Sequence, residues 1–155
     1  MVNLVQPDVR SIARAVNECI EICVDGQKLY ALASADVRNP MLKAMFQRHS
    51  NQRASYVVQL QEALAKLGAT PENEGSTRGA ARRGVMELRH GAQPIHNDWD
   101  VVRTCLRDEE TALRRYEMAT RDVGSFPIDL RVVFAEQRAG IQSALEETRT
   151  RLDSQ

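Results

Sequence analysis

At 155 residues the chain is long enough for one domain that buries about two-thirds of the surface its unfolded form exposes. Its 21 Lys and Arg balance its 21 Asp and Glu, which argues against a general binder of nucleic acid or of membrane surfaces. No apolar run approaches the roughly 20 residues of a membrane span. The opening MVNLVQPDVRS lacks the basic-then-apolar order of a secretion signal, so a cytoplasmic protein is expected.

Four long segments carry a helical period, and no segment alternates as a strand should. The first is predicted over residues 8–37, capped by Asp8 or Ser11, with Ile12, Val16, Cys19/Ile20, Cys23, Tyr30 and Ala33 as its apolar stripe. Asn39-Pro40 breaks it, because proline disfavours helix in the residue before it and suits a new first turn. The second helix, over 40–67, runs through Leu42, Met45/Phe46, His49, Gln52/Arg53, Tyr56, Leu60 and Leu64, and Gly68 is a natural stop.

A connection over 68–96 follows, with a short helix expected from Thr77 to Arg89. Its Arg78, Arg82, Arg83, Arg89 and His90 read as a solvated face, since no aromatics interleave with them. The third helix, over 97–123, carries Trp99, Val102, Cys105/Leu106, Glu109, Ala112/Leu113, Tyr116, Ala119 and Val123, and the Gly124–Pro127 turn should end it. The fourth, over 127–153, carries Leu130, Val133/Phe134, Gln137, Gly140/Ile141, Ala144/Leu145 and Leu152. Two tight connections and one long crossover predict an all-α, ferritin-like four-helix bundle of two antiparallel hairpins in a single domain.

The two hairpins repeat each other. YALASADV from Tyr30 returns as YEMATRDV from Tyr116, 86 residues on, and Gln52-Arg53-Ala54 returns as Gln137-Arg138-Ala139, 85 residues on. Self-similarity of this size describes architecture before it describes chemistry. Tyr30 and Tyr116 are expected as core aromatics whose hydroxyls bond across the bundle. Cys19, Cys23 and Cys105 lie within helical patterns without zinc spacing and are expected as buried thiols.

Each stripe has a polar interruption near its middle: Cys23 with Asp25 nearby, then His49 and Gln52, then Glu109, then Gln137. Polar groups in a core cost stability unless partnered, so this layer is expected to bond to itself. Di-iron bundles place a Glu from each of two helices and Glu-x-x-His from each of the other two at this level. None of the four stripes here carries Glu-x-x-His, and Gln52 and Gln137 are neutral where anions would be needed. Asp25, His49 and Glu109 are the metal candidates that remain, enough to hold one divalent ion weakly. No Ser/His/Asp arrangement or phosphate loop is legible.

Asp25-Gly26 ahead of Tyr30, the stretch NPMLKAMFQRHSNQRASY, LQEALAKLGATPENEGS, and Asp108-Glu109-Glu110 ahead of Tyr116 together resemble an uncharacterised family of bacterial ferritin-like four-helix bundles, a domain of unknown function. The resemblance spans Val16 to Leu152 and implies a ferritin-like fold and dimerisation. It also implies a Glu at the position of Gln52 and a His near that of Leu145, both missing here, and a helix-three glutamate matched by Glu109. The expectation is a non-catalytic bundle with a degenerate metal site and no cofactor, acting as a homodimer or through a protein partner, in a stress response. Apolar residues of the crossover, Val85, Met86 and Leu88, are candidates for that contact. The alternative is an iron- or manganese-binding oxidase or storage protein with a reduced ligand set.

Overall fold

The computed structural model describes residues 8–69 and 97–155. Four long helices run through them: α1 Val9–Asp36, α2 Pro40–Lys66, α3 Asp98–Ala119 and α4 Ile128–Asp153, with a 3-10 turn at Val123–Ser125. There is no strand among the described residues. The short helix expected over 77–89, the basic residues around it, His96 and the apolar Val85, Met86 and Leu88 lie outside the described residues.

The helix ends follow local chemistry. Asp8 Oδ1 accepts the Arg10 N–H at 3.2 Å, and Asn39 Oδ1 accepts those of Met41 and Leu42 at 2.8 and 3.3 Å, with Pro40 opening α2. At the far end of α2, Gly68 takes φ +74°. There the N–H of Gly68 bonds the Ala65 carbonyl and that of Ala69 the Leu64 carbonyl, at 3.0 and 3.1 Å, the paired bonds of a Schellman motif. Asn97 caps α3 through the Trp99 N–H. Helix α3 stops at Ala119, four residues short of the predicted end. Past Thr120 the chain tightens into i→i+3 bonds, Arg121 to Met118 and Phe126 to Val123, to make the reversal that Pro127 requires.

Asp98 orients the hairpins. Its carboxylate oxygens accept the N–H groups of Arg38 and Asn39 at 2.9 and 2.7 Å, so α3 begins beside the α1–α2 turn and runs alongside α1 in the opposite sense. Helix α1 packs on α2 and α3, and α3 packs on α4; the α2–α4 seam is the sparsest of the four. The core divides into two apolar clusters. One, towards the start of α1, gathers Ile12, Val16, Ile20, Leu60, Leu64, Tyr116, Phe134 and Ile141. The other, towards the α1–α2 turn, gathers Leu29, Tyr30, Met45, Phe46, Val102 and Cys105. Around their junction lie the buried polar side chains.

Candidate functional site

The centre of the bundle is an ion pair. Arg53 from α2 and Glu109 from α3, both 1 % exposed, are joined through Arg53 Nη2 and Glu109 Oε1. Desolvation opposes the charge on Arg53, but its surroundings, Glu109 foremost, together raise the guanidinium pKa above its ordinary value. Gly26 on α1 makes the space. A Cβ there would stand 3.3 Å from Arg53 Cγ, so the arginine stem passes over the glycine. Arg53 also lies 5.8 Å from the Tyr30 ring centroid, and Cys23 shares its surroundings, its thiol pushed up to about 12 by burial.

The α2 member of the polar layer is Arg53, where the sequence pointed to His49 and Gln52. The α2 stripe turns by one residue at this level: Arg53 and Val57 are buried, while Gln52 and Tyr56 are only partly so. The available signal was Glu109 itself. A carboxylate on a buried stripe demands a cation, and Arg53 stands on the predicted stripe of the second helix.

The three metal candidates are engaged separately. Glu109 holds Arg53. His49 Nε2 lies 3.0 Å from Glu147 Oε2 on α4, and Glu147 also takes Arg48 at 2.7 Å. Asp25 lies on the α1–α3 seam, 4.0 Å from Arg115, which bonds Glu18 at 2.7 Å. Among the described residues no three His, Cys, Asp or Glu side chains are grouped so as to hold a metal ion. The donor set does not fit a metal centre of the di-iron kind, because a guanidinium occupies the carboxylate and amides stand where further anions would be needed.

The amides serve a hydrogen-bonded network. Tyr116 Oη donates to Gln137 Oε1 at 2.8 Å; Gln137 Nε2 donates to Gln59 Oε1 at 2.9 Å and to the Tyr56 carbonyl at 3.3 Å. This bears out the expected cross-bundle bond of Tyr116; the buried Tyr30 hydroxyl lies beside Glu109 and Arg53 without a hydrogen bond of ordinary geometry. Gln52 Oε1 is buried and unpartnered as well, its amide turned towards Gly140. Gly140 lets the α2 and α4 side chains meet, since a Cβ there would fall 1.8 Å from Tyr56 Oη. Burial raises the Tyr30 and Tyr116 hydroxyl pKa values, so both stay protonated at neutral pH. All three cysteines are buried free thiols.

The backbone is similar to that of a ferritin-like, diiron-carboxylate protein from Bacillus anthracis str. Ames, at TM-score 0.59 and 13% identity, covering 99% of this chain and 96% of that one. It is also similar to a dodecameric thioferritin, the bacterioferritin-related protein from Bacteroides fragilis, at TM-score 0.64 and 15% identity, covering 96% and 86%. At these identities the likeness shows a ferritin-like all-α fold and carries no function. No curated protein matches the chain. A family model matches residues 11–122, most of the chain and three of the four described helices, and by that match the protein belongs to the family described as Domain of unknown function (DUF2383).

Proposed function

We propose that this protein is a non-catalytic ferritin-like bundle whose central cation is an arginine, and that it works by self-association or by binding a protein partner, in the cytoplasm and in a stress response. The observation that carries this reading is the buried Arg53–Glu109 pair. In a di-iron bundle the carboxylates of that layer neutralise metal ions. Here Arg53 neutralises Glu109, the one buried glutamate among the described residues, and a divalent ion would have to displace it. The amides of Gln137 are committed to hydrogen bonds, and the cysteines and tyrosines are held in their protonated, unreactive forms.

Self-association draws support from the surface. No helix among the described residues is long and apolar enough to cross a membrane. Val9, Met118, Ile128 and Val132, all between 47% and 67% exposed, lie at or near the end of the bundle where α1 begins and α3 gives way to α4. Metal analysis of protein purified without chelators, with sedimentation at several concentrations, tests the reading. The expected result is a dimer with no stoichiometric iron or manganese and no thermal stabilisation by Fe(II). One equivalent of metal, lost on Glu109→Ala, would instead establish a metal centre; a monomer at all concentrations would remove the self-association.

A further inference from the structure

Helix α4 is held differently along its two halves. Its first half is anchored by apolar packing: Leu130, Phe134 and Ile141 belong to the cluster shared with α1, α2 and α3, and Gln137 joins the Tyr116 network. Its second half faces the other cluster, which is assembled from α1, α2 and α3. Among the described residues α4 adds only Leu152 to that cluster, packed against it and partly buried. Ala144 and Leu145 are buried, at 2% and 6% exposed, yet belong to neither cluster. Beyond these and the fully buried Thr148, what ties this half to its neighbours is polar. Glu147 takes Arg48 and His49 from α2 at 2.7 and 3.0 Å, and Arg149 takes Glu110 from α3 at 3.2 Å.

We propose that residues 142–153 of α4 form a strap, latched across α2 and α3 by Glu147 and Arg149, that opens without unfolding the rest of the bundle. Three observations make this a property of the segment. The α2–α4 seam is the sparsest of the four helix–helix seams among the described residues. Both latches are partly exposed, with Arg48, Glu147, Glu110 and Arg149 side chains at 61%, 34%, 36% and 48%, so water screens them. The floor beneath has packing of its own, because Tyr30 stacks on Phe46 at 5.8 Å and meets the His49 ring at 5.0 Å within α1 and α2 alone. Segments with few apolar contacts and exposed polar ties are those that open locally. Opening would bare the groove between α2 and α3, with His49 on its wall and the Arg53–Glu109 pair at its foot. The strap concerns access to the core and does not rest on the partner-binding reading.

Hydrogen exchange of the full chain, resolved by peptide, tests it. In the native protein the amides of 142–150 should exchange at least about tenfold faster, relative to their intrinsic rates, than those of 130–141. Raising NaCl from about 0.05 M to about 1 M should widen that gap by screening the latches. The double substitution Glu147→Gln with Arg149→Gln should speed exchange of 142–153 by roughly three- to tenfold. Residues 130–138 and the centre of α1 should hold their rates, and Arg138→Gln, which breaks the tie to Glu117 on the other half, should leave the strap alone. Equal protection along α4 in the native protein would overturn the strap. So would a loosening in the double variant that spreads evenly over all four helices.

Discussion

The two hairpins present the same three residues, Gln-Arg-Ala, at equivalent places and bury different members of the triplet. In α4 the glutamine turns inward: Gln137 is 1% exposed and bonded to Tyr116, while Arg138 reaches the surface and Glu117. In α2 the arginine turns inward and Gln52 is left at the edge. The consequence propagates to the paired tyrosines, for Tyr116 has a hydrogen bond and Tyr30 has none of ordinary geometry. Each choice matches what lies opposite. Helix α3 sets a glutamate against α2, and α1 sets the small Gly26 beside the arginine stem. A pseudo-symmetric scaffold therefore carries an asymmetric centre, ionic on one side and amide-bonded on the other.

The comparison breaks most severely at the ion pair. Glu109→Leu should lose about 3–5 kcal/mol in chemical denaturation, because it strands a buried guanidinium. Adding Arg53→Met to the same chain should restore most of the loss, since two apolar side chains fill the space without desolvating charge. A single substitution costing under about 1 kcal/mol would mean that the pair is not buried as described.

Gly140→Ala comes next, because its methyl would meet the rigid end of the Tyr56 ring rather than a flexible tip. Overpacking of about 1–3 kcal/mol should exceed the roughly 1 kcal/mol gained from helix propensity. Tyr56→Phe in the same chain should recover part of the difference, by removing the oxygen that the methyl strikes. Thermal unfolding of the native protein and the two variants reads it directly.

A finer cut compares the two tyrosines. Tyr116→Phe should cost about 1 kcal/mol by ending its bond to Gln137, whereas Tyr30→Phe should cost less, since its buried hydroxyl has no well-formed bond to lose. Equal costs would mean that the halves are more alike than their geometry.

The smallest effect is a pH slope. Burial lowers the His49 pKa from 6.5, outweighing the pull of Glu147. Below pH 6.5 the unfolded chain takes a proton that the folded chain resists. Stability from His49 is therefore whole above that value and declines as pH falls towards the lower folded pKa. His49→Gln should flatten this part of the profile. Glu147, whose pKa is lowered first by its bond from Arg48, contributes in a separate and more acidic window, with stability present above 4.5 and lost as pH falls through its folded value.

The sequence by itself determined the helices, the two hairpins and most of the core. Caps at Asp8, Asn39 and Asn97, the stop at Gly68 and the apolar period are local facts, set by bonds within a few residues. It also determined that a polar layer interrupts the core. What only the tertiary structure decided was which members of that layer meet. Adjacent residues on a helix differ by about 100° in direction, so at the edge of a stripe Gln52 and Arg53 are nearly equivalent until a neighbour chooses between them. Glu109 and Gly26, far from them in the chain, made that choice. The scattering of Asp25, His49 and Glu109 onto Arg115, Glu147 and Arg53 follows for the same reason: a buried charge takes the partner that packing brings nearest, and spacing along one helix does not reveal it.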